Sequence, residues 1–227
     1  MIPIARFIGG RRGLSVTDRG DYSPGAMTGT GPYSITQSNV DIGDPSTNRL
    51  VILAIGAHRG TAETAYDSIT INGVTATLDV NVYQQNGATC AVACVCHAIV
   101  PTGTLVDVVI SKTAAALSQN AFNVWTVEGY QSSTPYHTAN SVGTTSPRSG
   151  SLNIPSGGFA IGSSALRGNP YDLTWTFLTE TSTDTISTTG EMETAAAYGL
   201  SSATGQAIQT SDSAGTAARA LALASWR

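Results

Sequence analysis

Charge is scarce in this sequence. Only 11% of its 227 residues are Asp, Glu, Lys or Arg, whereas ordinary soluble domains contain about 25%. Lys112 is the one lysine, and the formal net charge is -4. A nucleic-acid-binding protein needs a basic stripe for phosphates, but the arginines cluster only at Arg11, Arg12 and Arg19. The composition therefore argues against a nucleic-acid partner.

Long apolar runs are also missing. No stretch reaches the roughly 18 apolar residues that a membrane-spanning helix needs. Residues 1–6 do not have the basic-then-apolar layout of a signal peptide. We therefore expect no membrane insertion and no export through a cleaved leader. A composition rich in Ser, Thr, Ala and Gly then suggests export by another route, such as release in a particle by lysis.

The sequence contains three cysteines, all within one short segment. Cys90, Cys94 and Cys96 have the same parity on a strand, so their thiols share one face, while His97 points to the other. Structural zinc needs four converging ligands, and a disulfide along one strand has poor geometry. We expect three small buried apolar side chains. A disulfide to another subunit, or a metal site with His97, is the alternative.

Recognisable catalytic motifs do not occur. His58, His97 and His137 are the three histidines, and none lies in a nucleophile-elbow, zincin or paired-carboxylate context. We expect no enzyme, no metal and no other cofactor. A polysaccharide depolymerase is the enzymatic alternative, and it would require two carboxylates about 5–10 Å apart in a cleft.

Short alternating runs separated by turns fill most of the chain. Asn72 and Gly73 separate two runs rich in Val, Ile and Thr, and Gly/Pro turns occupy residues 101–103 and 155–158. This pattern predicts an all-β protein of antiparallel strands. Residues 49–57 are apolar on both faces, which predicts a central strand covered on both sides.

Three further segments are assigned by their period. Residues 74–83 and 104–111 alternate between apolar and polar, which predicts two half-buried strands. Residues 190–200 contain strong helix formers, but they also alternate. We favour a strand there because the surrounding pattern is β. No fixed-period repeat of the solenoid or propeller type is found.

The first 32 residues differ from the rest of the chain. Residues 1–32 are rich in Gly and have few periodic apolar positions, which predicts an irregular N-terminal arm before a single β-sandwich domain over residues 33–227. Such an arm either has no role or pairs with a neighbouring subunit. In the second case the candidate assembly residues are Ile2, Ile4, Phe7, Ile8, Arg11 and Arg12.

Tyrosines near predicted loops are the candidates for ligand contact. An exposed aromatic ring can stack on a sugar ring, whereas a buried ring caps a core. The candidate glycan contacts are Tyr130, Tyr136 and Tyr171. They support a carbohydrate-binding or host-receptor-binding module as the alternative to a structural protein.

Four local patterns, taken in order, resemble a known family. They occupy residues 45–56, residues 68–77, residues 100–104 with 123–127, and residues 154–162 closed by 224–226. In this order they resemble a β-sandwich family common among virion proteins of tailed bacteriophages and related prophage or gene-transfer particles. The resemblance covers roughly residues 40–227, and the arm lies outside it.

The resemblance implies a non-enzymatic structural virion protein. Its expected role is a capsid decoration, head-fibre, collar or tail accessory subunit that forms a homo-oligomer. The resemblance also implies that the protein is located in the virion, having been made in the host cytoplasm and released in the particle. The expected partners are other virion proteins, with host surface polysaccharide as a further candidate. The body is long and has no Cys…Trp…Cys spacing of immunoglobulin domains, so we expect a jelly-roll-like antiparallel β-sandwich.

Overall fold

The computed structural model describes residues 13–27, 31–59, 64–113, 117, 119–167, 173–187, 190–200, 202–213 and 215–227. These residues form strands joined by turns, and no helix occurs among them. The strands are β1 (Ser15–Tyr22), β2 (Tyr33–Asp41), β3 (Leu50–Arg59), β4 (Ser68–Ile71), β5 (Val74–Thr75), β6 (Thr77–Asn86), β7 (Thr89–Ile99), β8 (Leu105–Lys112), β9 (Gln119–Glu128), β10 (His137–Gly143), β11 (Arg148–Ile154), β12 (Gly158–Arg167), β13 (Thr174–Thr176), β14 (Thr179–Ser187), β15 (Gly190–Leu200), β16 (Ala203–Ser211) and β17 (Ala218–Trp226).

The described strands form four antiparallel sheets. The first inner sheet has the order β1-β9-β3-β7-β6, and the first outer sheet has the order β2-β8-β4-β5. The second inner sheet has the order β10-β17-β12-β15-β14, and the second outer sheet has the order β11-β16-β13. The predicted all-β, antiparallel sandwich architecture is confirmed.

Each outer sheet packs on its inner sheet through an apolar core. The first core takes alternate residues of β3, such as Val51 and Leu53, together with Val108 and Ile110 of β8. An equivalent core, which includes Leu152, Ile208, Leu221 and Leu223, lies between the second inner and second outer sheets. Each pair of sheets is therefore a sandwich.

The two inner sheets meet across a central core. Leu50 and Ile52 of β3 contribute to it from one side, and Phe159 and Trp226 from the other. The Trp226 and Phe159 rings are stacked with their centroids 5.3 Å apart. β3 therefore supplies side chains to two cores, and the predicted central strand, covered on both faces, is confirmed.

Small side chains bring the inner sheets close together. The Ser163 hydroxyl of β12 donates a hydrogen bond to the backbone carbonyl of Ile55 in β3, across the interface, at 2.8 Å. The small residues of this core are Ala54, Ala91, Ala93, Ala165, Ala218, Ala220, Ala222 and Ala224. Alanine has little bulk, so backbones of facing sheets can approach each other.

The two halves of the chain repeat one strand order. If the first strand of each half is aligned, β1-β9-β3-β7-β6 corresponds to β10-β17-β12-β15-β14, and β2-β8-β4 corresponds to β11-β16-β13. The registers match as well. In the central strand of each inner sheet, β3 or β12, one apolar residue pairs with a Trp on one neighbouring strand and with a His or Tyr on the other. The matching triplets are Trp125–Ile52–His97 and Trp226–Phe159–Tyr198.

Two segment predictions have different outcomes. Gly190–Leu200 is a strand, β15, as predicted. The single strand predicted over residues 74–83 is wrong, because the structure has β5 and β6 there, in different sheets. The Ala76 amide between them donates to the Ile69 carbonyl at 2.8 Å, so the chain turns away at this point. The apolar alternation continues across the break between β5 and β6, so the sequence pattern does not reveal this break.

Part of the predicted arm belongs to a sheet. Ser15–Tyr22 is β1, the edge strand of the first inner sheet. The pairing shifts between Asp18 and Asp21, and Gly20 has a φ of 95°. This irregularity removes the period-2 pattern that marks a strand. Residues 1–12 lie outside the described residues. In the described ranges no helix has the length and apolarity to cross a membrane.

Candidate functional site

An open groove lies where loops of both halves meet at one end of the sheet stack. Its volume is about 1410 Å³. Its walls come from the β2–β3 loop, the segment after β9, the β11–β12 loop and the residues just before β1. The lining residues are Gly13, Leu14, Asp44, Pro45, Ser46, Thr47, Asn48, Glu128, Gly129, Gln131, Ser156, Gly157 and Arg227. We call this cavity the end groove.

Arg49 holds one wall of the end groove in place. Its side chain is buried, and all five of its N–H groups donate to backbone carbonyls at 2.5–2.9 Å. Burial, and then the charge of Arg19, lower the pKa of Arg49. The acceptors belong to the β2–β3 and β7–β8 loops: Gly43, Asp44, Val100, Thr102 and Gly103.

A smaller charged cavity of about 380 Å³ adjoins the end groove. The two share Asp44 and Glu128 in their linings. In the smaller cavity the Arg19 Nε donates to the Thr126 hydroxyl at 2.9 Å, and Arg19 Nη1 lies 4.0 Å from Asp41 Oδ2. Within the described part of the chain, no three His, Cys, Asp or Glu side chains converge as a metal site.

The segment between the halves, residues 129–136, borders the end groove. We call it the linker. Its Gln131 amide donates to the Arg227 carbonyl at 2.5 Å, and its Tyr136 amide donates to the Ser225 carbonyl at 2.7 Å. The Trp226 indole donates to the Ser133 carbonyl at 2.9 Å. The linker therefore covers the end of β17 with main-chain and side-chain hydrogen bonds.

Two of the three candidate tyrosines lie in this linker. Tyr136 is 60% exposed. Tyr130 is half-buried against the central core, and burial raises its pKa. Tyr171 lies outside the described residues. The structure thus places one exposed ring and one packed ring in the linker, and neither residue lines the end groove.

The six candidate assembly residues of the arm, Ile2 to Arg12, also lie outside the described residues. The arm reaches the described part of the chain at Gly13 and Leu14. Both residues line the end groove, and Leu14 also packs against the central core. The arm therefore joins the body at the groove itself.

The three cysteines are buried in the first core, on one face of β7. The shared parity predicted from the sequence is confirmed. Burial raises the pKa of the Cys94 thiol, which keeps it protonated. His97 lies on the opposite face, also as predicted, with its Nδ1 2.7 Å from Asp79 Oδ2 and its ring edge-on to Trp226. Burial raises the pKa of Asp79.

A second buried histidine lies between the halves. His58 of β3 accepts a hydrogen bond at its Nδ1 from Arg167 Nη1 of β12, at 2.9 Å. Burial, and then the Arg167 charge, lower the pKa of His58 to about 4. The imidazole is therefore neutral at neutral pH and joins the two inner sheets as an acceptor.

Sequence reasoning did not single out Arg49, Asp44, Glu128 or Gln131. One signal for Arg49 was present, because a charged residue opens a run that is otherwise apolar on both faces. A buried arginine needs partners for its donors, so such a residue predicts a buried polar anchor. The groove residues carry no signal of this kind, since they are polar loop residues from distant parts of the chain.

Comparison with known proteins gives no relative. No family model matches the chain, and neither a curated protein nor a solved structure is detectably similar to it.

Proposed function

We propose that this protein is a non-enzymatic structural subunit of a phage-like particle, such as a capsid decoration, head-fibre, collar or tail accessory protein. It assembles through its N-terminal arm and its sheet edges. One observation carries the proposal: the arm runs through Gly13 and Leu14 directly into β1, the edge strand of the first inner sheet. An edge strand presents backbone groups that can pair with another chain, so arm and edge form one continuous adhesive element.

The strand order supports the same proposal by analogy of fold. We propose that each half is a jelly roll, in which β1-β9-β3-β7 faces β2-β8-β4-β5 and β10-β17-β12-β15 faces β11-β16-β13. Jelly rolls occur in viral capsid proteins and in lectins.

The outer sheets carry few charges, which suits packing against other subunits. Burying a hydroxyl or amide at an interface costs less free energy than burying a charge, provided that it finds a hydrogen-bond partner. The outward polar residues of these sheets include Ser34, Thr36, Ser68, Thr70, Ser111, Ser149, Ser151, Thr174, Thr176 and Gln209.

Cosedimentation with particles assembled without this protein tests the proposal. We expect the full chain to bind saturably, and a chain beginning at Gly13 to lose most of that binding. Light scattering on both chains measures whether the arm also joins copies of the protein. A chain without residues 1–12 that binds particles as tightly as the full chain would contradict the arm's role.

A second candidate function is binding of a host surface polysaccharide by a module displayed on the particle. The observation that favours it is the polar lining of the end groove, where Asp44, Asn48 and Gln131 can hydrogen-bond to sugar hydroxyls. Tyr136 is exposed on the neighbouring linker. A glycan array with the wild-type chain and the Tyr136→Ala variant tests this. Binding that is weaker in the variant supports the module, and an array without signal excludes it.

A further inference from the structure

The repeated strand order shows which segment of the second half occupies the position that corresponds to the end groove of the first half. In the second half the linker leads into β10 and covers the end of β17 through the Gln131, Tyr136 and Trp226 hydrogen bonds. In the first half the corresponding segment is the arm that leads into β1, and the corresponding strand end is that of β9. Glu128, the last residue of β9, lines the end groove.

Geometry brings the arm to this position. Ser15 of β1 pairs with Glu128 of β9, so the residues before Ser15 continue past the end of β9. Gly13 and Leu14 already line the groove. Residues 1–12 can span at most about 40 Å when extended, so the residues next to Gly13 in the sequence are within reach of the groove.

Charge favours the basic end of the arm as the occupant. Arg11 and Arg12 directly precede Gly13 in the sequence. The charged side chains that line the groove are two carboxylates, Asp44 and Glu128, and one arginine, Arg227. Arginine suits such a site because its planar guanidinium can bind a carboxylate through two hydrogen bonds.

We propose that the end groove is the docking site for residues 9–12 of the chain's own arm, with Arg11 and Arg12 against Asp44 and Glu128. The docked segment takes the place that the linker has in the second half. The apolar part of the arm, with Ile2, Ile4, Phe7 and Ile8, then projects from a fixed point toward a neighbouring subunit. The inference deepens the proposed function and rests on it for the role of this apolar part.

Limited trypsin digestion of the native full chain tests the docking, because the arm contains its own reference bond. Trypsin cuts after Arg6, Arg11 and Arg12, and mass spectrometry gives each rate separately. We expect cleavage after Arg11 and Arg12 to be at least about tenfold slower than after Arg6, since a docked segment must open before it is cut.

The decisive comparison uses a groove variant, because a bond close to a strand is cut slowly in any case. Asp44→Asn combined with Glu128→Gln should raise the rates after Arg11 and Arg12 severalfold and leave the rate after Arg6 unchanged. Asp107→Asn, which removes an exposed carboxylate of β8 outside the groove, is the matched control and should change none of the rates. Thermal unfolding of each variant verifies that the fold is intact.

Three outcomes would overturn the proposal. They are equal rates at all three bonds in the wild type, protection of Arg11 and Arg12 that persists in the groove variant, and protection that rises with protein concentration. The last outcome would assign the groove to the arm of a second copy. The digestion uses isolated protein and the particle assay does not, so the two proposals fail separately. A docked arm that particles do not need would contradict only the proposed function.

Discussion

Arg49 shows how one buried charge can organise a surface. The guanidinium does not meet a carboxylate through any of its N–H groups but satisfies five carbonyl oxygens from two loops. Arg49 thereby supplies donors to these carbonyls where the loops close over the first core, and the Thr102 carbonyl also accepts from the Asn72 side-chain amide at 3.3 Å. Lysine has three donors on a flexible stem and cannot reproduce the planar fork.

We predict that Arg49→Lys lowers the free energy of unfolding by about 2–4 kcal/mol, because several buried carbonyls lose their donors. Urea unfolding followed by tryptophan fluorescence measures the change. Arg148→Lys is the matched control, because the hydrogen bonds of Arg148 are exposed to solvent. The control should change stability by at most about 0.5 kcal/mol. Equal effects of the two variants would show that the Arg49 contacts contribute little.

For single residues, the sequence predicts which face of a strand a side chain lies on better than it predicts the hydrogen-bond partners of that side chain. The common face of Cys90, Cys94 and Cys96 follows from their parity on one strand. The partners of Arg49 do not, because they include carbonyls about fifty residues away whose positions depend on loop conformation. The groove carboxylates Asp44 and Glu128 are even farther apart in sequence and come together only in the folded chain.

Among the elements, β12 has no room for a side chain at its central glycine, Gly162. A Cβ atom added at Gly162 would lie 2.9 Å from Leu223 Cδ2 and 2.9 Å from the Trp175 ring. Contacts that short do not occur between a Cβ and its neighbours. The absence of a side chain at this position lets the second outer sheet approach the second inner sheet.

We predict that Gly162→Ala lowers the free energy of unfolding by about 1–3 kcal/mol, because Trp175 and Leu223 must both shift. The variant gains some stability from the lower entropy of its unfolded chain, which offsets part of the loss. Gly215→Ala is the matched control, since nothing lies within 4 Å of a Cβ built there. Thermal unfolding of the two variants side by side decides the matter. An unchanged Gly162→Ala midpoint would contradict the packing argument.

Strand patterns could be predicted from the sequence, but the repeated strand order could not. Period-2 alternation marks β8 and β15, and a run that is apolar on both faces marks β3, because both patterns depend only on neighbouring residues. The two halves place different residues at matching positions, for example Ile52 and Phe159, or His97 and Tyr198. Their loops also differ in length, so the matching residues are not separated by one fixed interval. The repetition is therefore found in the pairing of the strands and not in the amino-acid sequence.

At the scale of the whole molecule, the halves are held together by a core that contains two buried imidazoles. His97 contacts Trp226, and His58 accepts a hydrogen bond from Arg167. The His58 pKa of about 4 lies below its ordinary value of 6.5, so the folded protein resists protonation of this ring. In the unfolded chain the ring takes up a proton as the pH falls through 6.5.

We therefore predict that the free energy of unfolding decreases as the pH falls from 6.5 to about 4. The unfolded state binds more protons in this window, so acidification favours it. The full effect of His58 is about 3 kcal/mol, reached below its folded-state pKa. Urea unfolding at a series of pH values measures the slope.

The His58→Gln variant isolates this contribution. Glutamine keeps an acceptor for Arg167 but does not titrate, so the slope between pH 4 and 6.5 should become shallower. The raised pKa of Asp79 acts in the opposite sense, because its folded state binds the extra proton. Asp79 is present in both proteins, so its effect cancels in the comparison. Identical slopes would show that His58 does not couple pH to stability.

The end groove brings together three points of the chain that are far apart in sequence: Gly13 before the first half, the Gly129–Gln131 stretch between the halves, and Arg227 after the second. The described chain therefore starts, crosses over and finishes at one end of the stack. A short bridge from Arg227 to Gly13 and a cut near Gly129 would exchange the order of the halves without moving a strand. The arrangement of the strands therefore does not depend on which half comes first in the chain, and the fold is suited to circular permutation.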